Sequence, residues 1–389
     1  MLKILHAIHS LNPAHGGTTY GLRGLVNELL RLGHETEIIV LDDPASPWLL
    51  DWPCKVHALG TGRGNYGFNW AFWTGAQRLI QGFDRAIIHG LWQFHGIALW
   101  RACRRFRVPY AVYPHGMLDG WFATAYPAKH RLKAIYWFCV ERRVLWDARA
   151  VFFTTQAELA AGKDTFPLFR VAPAFAAFGI VGPPEAPATY REQFDRRVVR
   201  LAGRRIILFL GRLHTKKGCE LLLQGFAAWM GTLSAAERGN WHLRFVGPTD
   251  DREYLTQLQR FATTEKLIEA GLVSFEPAVS GDEKWQELSR AEVLALPSHQ
   301  ENFGVVIAEA FACATPALIS NKVNGWQLMA ETQAALVAGD DVDGVVALLT
   351  QWSALTPQDV QIRKLAAVAF FHKIMSAEVS ARAVLLGLN

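Results

Sequence analysis

Short apolar runs alternate along this chain with stretches whose apolar residues recur every three or four positions. A run such as Val-Leu-Ala-Leu at 293–296 has the length and continuity of a strand covered on both faces. Leu22, Leu25, Val26, Leu29 and Leu32 keep helical spacing, and Gly33 is placed to end that helix. In the first half the pattern predicts strands at 4–8, 35–41, 85–89, 110–113 and 151–155, and a helix at 18–32. A basic, aromatic-rich helical stretch follows at 129–149. In the second half it predicts strands at 206–211, 242–246, 273–275, 293–296 and 317–320. Helices at 220–230, 253–268, 284–291 and 303–314 lie between them. Strand–helix alternation of this kind implies an α/β fold with parallel sheets.

Residues 181–190, Val-Gly-Pro-Pro-Glu-Ala-Pro-Ala-Thr-Tyr, carry three prolines and a glycine and read as a linker that stops both helix and sheet. The expected organisation is a first α/β domain over 1–182, a second over 183–363 and a terminal helical segment over 364–389. Two such halves make a two-lobed molecule with a cleft between them. A length of 389 residues suits two domains of ordinary size.

Composition narrows the class. Hydrophobic residues make up 51% and charged residues 19%, as in a globular protein rather than a disordered one. The formal charge is +5, a mild excess that fits anionic ligands or an anionic membrane surface without demanding nucleic acid. The five cysteines are scattered, with no C-x-x-C pair, which favours a reducing compartment over a zinc knuckle or a disulfide frame. The opening segment is too short and too histidine-broken for a signal peptide. No run approaches the ~20 apolar residues of a membrane span. A cytoplasmic location follows, with peripheral contact at the inner face of the membrane. The stretch at 129–149 interleaves Lys129, His130, Arg131, Lys133, Arg142, Arg143 and Arg149 with Tyr136, Trp137, Phe138 and Trp146. It reads either as a solvated basic face over an aromatic core or as a surface for anionic lipid or a lipid-linked acceptor.

The candidate chemistry centres on 301–309, Glu-Asn-Phe-Gly-Val-Val-Ile-Ala-Glu. Glu309 is the only charge in an otherwise apolar helix and calls for a partner. If 301–309 is helical throughout, Glu301 and Glu309 stand roughly 12 Å apart along the axis, about the span from ribose to sugar in a sugar nucleotide. The amides of Asn302, Phe303 and Gly304 would then lie at a helix N-terminus, where anions and hydroxyls are favoured. The plainer reading makes Glu301 a helix-start acid and Glu309 a satisfied core acid. Arg212 and Lys217 lie in the turn after the strand at 206–211, where two cations can clamp a diphosphate leaving group. Gly16 and Gly17 form the turn before the first helix, where backbone amides can meet a phosphate or sugar. His89 and His115 follow the ends of two strands, where ligands of open α/β sheets gather. No G-x-G-x-x-G fingerprint sits in the first βα turn, which argues against a nicotinamide dehydrogenase.

Taken together, the E-x7-E pair, the Gly-Arg-Leu…Lys-Gly turn, the Gly16-Gly17 loop and Pro-His-Gly-Met-Leu-Asp at 114–119 resemble the retaining glycosyltransferases of family four. The resemblance covers nearly the whole chain and is most specific in the second half. It implies the GT-B fold of two facing Rossmann-like domains, with the last helix, about 364–386, crossing back onto the first. It also implies roles. Glu301 would face the donor sugar, with the amides of Asn302, Phe303, Gly304 and Val305 beside it. Glu309 would take the ribose hydroxyls, and Arg212 and Lys217 the diphosphate. Gly16 and Gly17 would approach the donor from the first domain, and His115 would lie near the reacting sugar. The family usually needs no metal or other cofactor. Two departures stand out. Gly179 is the one glycine in the segment before the linker, and Ala314 stands where relatives often have glycine, read as a packing position.

The expected activity is transfer of a hexose from a UDP- or GDP-sugar to a hydroxyl of a glycan or lipid-linked glycan, with retention. No nucleic-acid partner is expected. Rival readings are a sugar-nucleotide epimerase or hydrolase of the same fold, and a non-catalytic subunit of a glycan assembly complex.

Overall fold

The structure is a computed structural model that describes residues 1–13, 17–118, 127–177, 179–302 and 304–389, with 127–131 described by backbone alone. The chain divides into two units, Met1–Ile180 with Met375–Asn389, and Val181–Ile374.

The first unit is built on seven parallel strands: β1 (Lys3–Ile8), β2 (Glu35–Val40), β3 (Lys55–Ala58), β4 (Arg85–His89), β5 (Tyr110–Tyr113), β6 (Ala150–Phe153) and β7 (Pro173–Phe175). Their order across the sheet is β3-β2-β1-β4-β5-β6-β7. The central strands are buried on both faces, which is why β1, β4, β5 and β6 read as apolar runs. Strands β3 and β7 escape the pattern because they are short and half-exposed. Helices Trp70–Leu79 and Phe94–Phe106, also unforeseen, cover one face. The first starts at Asn69, whose side chain accepts from the Phe72 amide, so the start signal lay in a cap.

The second unit has six parallel strands: β8 (Arg205–Leu210), β9 (Trp241–Val246), β10 (Val273–Glu276), β11 (Val293–Leu296), β12 (Ala317–Ser320) and β13 (Ala335–Ala338). They run β10-β9-β8-β11-β12-β13. This is the doubly wound order that reverses direction between β8 and β11. Strand β13 and helix Val342–Ser353, capped by Asp341, were not foreseen.

Four expectations need correction. First, the proline-rich stretch does not stay irregular. Pro187 occupies the first turn of helix Pro187–Arg197, a position where its missing N–H costs nothing. Second, the terminal segment is two helices rather than one. Pro357–Phe370 belongs to the second unit and Ala377–Leu388 to the first. A π-helical turn, Phe371–Met375, separates them, and Ser376 caps the new helix by accepting from the Val379 amide. Gly179 serves this crossing, because a Cβ there would stand 2.6 Å from the Ala377 Cα. Third, the aromatic-rich stretch is helix Pro127–Tyr136, a π turn at Trp137–Glu141 and helix Arg142–Trp146. Fourth, Ala314 is a conformational position. It ends helix Val305–Ala312 at φ 58, in the left-handed region where an alanine is strained.

The π turn buries a carboxyl. Glu141 is 3% exposed, receives the Trp92 amide at 3.4 Å, and its pKa is pushed up to about 8 by burial, against which the Trp92 bond works. Trp92 is itself held at φ 67.

Two outcomes follow. Ala314→Gly should stabilise the second unit by about 1 kcal/mol, read as a higher urea midpoint; no gain would mean the strain is relieved elsewhere. For Glu141, the folded-state pKa lies above the usual 4.5, so folding favours the protonated form. That stabilisation is full below the unfolded value and drains away as pH rises through about 8. Glu141→Gln should therefore flatten the fall in unfolding free energy of the first unit between about pH 4.5 and about pH 8. An unchanged slope would show that Glu141 is ionised in the native protein.

Candidate active site

Ligands of open α/β sheets bind beyond the carboxyl ends of the strands, where the strand order reverses. In the second unit that point lies between β8 and β11, and the loops after these strands carry Arg212, Lys217 and Glu301.

The two loops are laced together through the backbone. Gly218 has φ 67, and a Cβ there would stand 2.2 Å from the Pro297 carbonyl oxygen. Only a glycine lets the β8 loop lie this close to the end of β11. The His299 amide donates to the Lys216 carbonyl at 3.0 Å. Glu301 is then gripped from the β12 side: its amide donates to the Lys322 carbonyl at 3.1 Å, and its carbonyl accepts from the Asn324 amide at 2.9 Å. Two further bonds tie in the neighbouring segments, His299 Nδ1 with Asp340 Oδ2 at 3.0 Å and Asn324 Nδ2 to Asn302 Oδ1 at 3.1 Å.

This lacing puts the Lys217 ammonium in direct contact with the Glu301 carboxylate. Both side chains are mostly shielded, at 27% and 15% exposed. An ion pair held this way is stronger than one in open water, yet either partner remains within reach of a ligand. Arg212 lies on the same loop, but its guanidinium pairs with the exposed Asp250 at 3.5 Å, and no ion pair joins it to Glu301 among the described residues.

The segment 301–309 is not helical throughout. Gly304 turns left-handed at φ 66 and the helix begins at Val305. Glu301 lies outside it, in an extended segment bridged to Val323. The span based on a continuous helical rise therefore does not apply, and Asn302 and Gly304 precede the helix rather than form its first turn. Phe303 lies outside the described residues. Glu309 is in the helix and 7% exposed. Its expected partner is Lys284, from helix Gly281–Arg290, at 2.7 Å. Burial raises the Glu309 pKa and Lys284 opposes that rise. Lys284 comes from a separate helix with no motif to mark it, so spacing within the sequence could not reveal it.

In the first unit the strand order reverses between β1 and β4. Gly17 is the first residue of helix Gly17–Arg31 after β1, and Gly16 lies outside the described residues. His89 ends β4, and its Nδ1 faces His115 Nε2 at 3.2 Å. His115 stands at φ 54, and the next amide, Gly116, donates to Glu158 Oε1 at 2.6 Å. Glu158 also takes the Thr154 amide and hydroxyl, so a buried carboxylate anchors the turn that carries His115. Burial, and secondarily His95, lowers the His115 pKa to about 3. His6 and His95 complete the cluster; both are buried and neither was singled out from the sequence.

Residues 16–161 match the model of the glycosyl transferase 4-like domain, and residues 191–367 that of the glycosyl transferases group 1. An uncharacterized glycosyltransferase of Methanocaldococcus jannaschii is 33% identical over 118 residues, 30% of this chain and 27% of that protein. A D-inositol 3-phosphate glycosyltransferase of Acidothermus cellulolyticus is 33% identical over 122 residues, 31% of this chain and 26% of that protein. The matched segments thus span about a quarter of these relatives' own length. Among solved structures, Anabaena HepE in complex with UDP and glucose is similar at TM-score 0.77 and 16% identity, over 100% of this chain and 99% of that one. The α,α-trehalose-phosphate synthase (UDP-forming) of Burkholderia xenovorans, in complex with glucose-6-phosphate, is similar at 0.73 and 15%, over the whole of both chains. These likenesses identify the two parallel-sheet domains as the GT-B fold. With a 4-like domain followed by a group 1 domain, the chain belongs to the glycosyltransferases of family four.

Proposed function

We propose that this protein transfers a hexose from a nucleotide diphosphate sugar, of the UDP or GDP type, to a hydroxyl of a glycan or lipid-linked glycan, with retention at the anomeric carbon. The observation that carries this reading is Lys217 paired with Glu301 at the strand-order reversal of the group 1 domain. A diphosphate competes well for such a lysine, since its oxygens accept the same charge-assisted hydrogen bonds as the carboxylate. Once Lys217 turns to the diphosphate, Glu301 is left as an acceptor for sugar hydroxyls. Arg212, half-exposed on the same loop, adds a second cation. Glu309 takes the ribose and the amides near Gly304 and Val305 lie beside the donor. The roles of His115 and Gly17 rest on the resemblance alone.

The chemistry follows from where charge develops. The bond between the anomeric carbon and the diphosphate oxygen breaks, and negative charge builds on the leaving group. Lys217 and Arg212 stabilise that charge, which is the job a metal does in other transferases. The acceptor oxygen bonds to the same face of the sugar, and its proton passes to the departing diphosphate. Lysine and arginine here make a metal unnecessary, so chelation should leave the rate unchanged.

Helix Pro127–Tyr136 and the segment after it carry the acceptor-side proposal. Leu132, Ile135, Phe138 and Trp146 are exposed, and Arg142 lies over the Phe138 and Trp146 rings at 5.3 and 5.2 Å. Aromatic, aliphatic and basic groups on one surface suit the headgroup region of an anionic membrane, where a lipid-linked acceptor would be presented. Among the described residues no helix is long and apolar enough to cross a membrane.

Two measurements bear on this. Release of nucleoside diphosphate from the donor should require acceptor, and Lys217→Ala should slow it by about a hundredfold or more while unfolding stays cooperative. Full-rate release into water without acceptor would favour a hydrolase instead. Wild-type protein should co-sediment with phosphatidylglycerol vesicles and not with pure phosphatidylcholine, and Ile135→Ser with Phe138→Ser should weaken this about tenfold or more. Equal binding to both vesicle types would remove the membrane from the reading.

A further inference from the structure

A cavity of about 540 Å³ lies at the outer edge of the second unit's sheet. It is lined by β10, the edge strand, and by His242 near the start of β9. Arg200 and Arg204, just ahead of β8, line it too, as do Gln259 of helix Arg252–Thr264 and Ile268. None of these residues belongs to the candidate active site, which is built on the loops after β8 and β11. Arg200 and Arg204 come from a stretch with six arginines between residues 191 and 205, none of which the proposed reaction uses.

The cavity is cationic. Its carboxylate is Glu276, whose Oε1 accepts from Arg200 at 2.7 Å and from Arg244 at 2.6 Å. Arg244 is buried behind it and forks onto Glu287 at 2.7 and 2.9 Å, and Glu287 also takes Arg197 at 2.9 Å. Arg204 is half-buried and has no carboxylate partner among the described residues. One of its N–H groups donates to the Gly271 carbonyl at 2.5 Å, which leaves four of the five for other acceptors. Arg197, Arg200, Arg204 and Arg244 thus face two carboxylates. His242 adds no charge. Its Nδ1–H donates to the same Gly271 carbonyl at 2.9 Å, so its Nε2 accepts from the Ser274 hydroxyl at 2.9 Å. Burial above all lowers the His242 pKa to about 4; the Gly271 bond opposes this, and Arg204, Arg244 and Arg200 each push it down further. The imidazole therefore registers the positive potential of three arginines.

We propose that this cavity is a second ligand site, separate from the sugar-nucleotide site, and that it binds an organic phosphate monoester through Arg204 and Arg200. A guanidinium fork matches phosphate oxygens two at a time, and a monoester carries about −1.5 to −2 charges at neutral pH, enough to engage two arginines. Arg200 can turn from Glu276 to the ligand because Arg244 stays on that carboxylate. The organic part has a wall to pack on: Leu201, Ile268, Val273 and Phe275 also line the cavity, and Ile268 is 40% exposed. A volume of about 540 Å³ is that of a small-molecule pocket and leaves room beyond a phosphate group. The site stands whether or not the proposed reaction does, since it shares no residue with it.

Isothermal titration calorimetry of the whole protein with phenyl phosphate, at about pH 7.5 where the phosphate is mainly dianionic, tests this. Wild type and Lys217→Ala should bind it equally, within about twofold, because Lys217 lies at the other site. Arg204→Gln keeps a donor for the Gly271 carbonyl but removes the charge, and should weaken binding about tenfold or more. Arg200→Glu, at an exposed position, should do the same and decides the point should Arg204→Gln not fold. Inorganic phosphate should bind about tenfold more weakly than phenyl phosphate, for want of the apolar contact. No binding by wild type, or undiminished binding by the folded arginine variants, would overturn the proposal. Loss of binding in Lys217→Ala would put the phosphate in the sugar-nucleotide site and overturn it too, while leaving the transferase reading intact. Inorganic phosphate binding as tightly as phenyl phosphate would overturn the organic class of ligand.

Discussion

One close approach governs the second unit. Gly218 lies so near the Pro297 carbonyl that no other residue fits, and it does so with a backbone conformation that favours glycine. That approach ties the loop after β8 to the loop after β11, the two strands on either side of the strand-order reversal. Everything placed at the site depends on it. With the loops apart, Lys217 and Glu301 would be two solvated side chains on separate turns. Held together, they become an ion pair shielded enough to matter and open enough to exchange partners. The Lys322 and Asn324 backbone bonds to Glu301 add rigidity from β12, so the carboxylate is positioned by the sheet rather than by its own flexibility.

The first unit places its polar groups differently. Its site end holds imidazoles in place of ions, and these are deprived of charge by burial. Neutral histidines are directional, since each has one donor and one acceptor. Glu158 fixes the turn beneath His115, and Glu141 lies buried behind the strained Trp92. Such concentrations of buried polar groups and left-handed residues cost stability, and they cluster at the carboxyl ends of β4 and β5.

Most of the sheet architecture was legible because parallel strands covered on both faces must be apolar throughout. Arg205–Leu210 and Val293–Leu296 could hardly read otherwise. What escaped had weaker or non-local signals. Strands β3 and β7 are short and half-exposed, and helix Trp70–Leu79 announces itself through a single asparagine cap. The site residues were found by type and spacing, but their arrangement was not. Gly304 interrupts the helix between Glu301 and Glu309, and the glycine that does so looks in sequence like part of a helix start. Lys284 and His6 were invisible because their roles come from contacts with distant elements, 25 residues from Glu309 and 83 from His89. Ala314 shows the reverse case, where a residue taken for packing proves to be a backbone position.

The central claim, that the Lys217–Glu301 pair marks a nucleotide diphosphate sugar site, is tested most directly by thermal unfolding with UDP, GDP, ADP and dTDP in turn, without added metal. A nucleotide at ~100 times its dissociation constant stabilises the state it binds by about 2.7 kcal/mol. Stabilisation of the second unit by one of the four, abolished in Lys217→Ala, is the expected result. Stabilisation by none of them, or by one with Lys217→Ala responding as the wild type does, would contradict it.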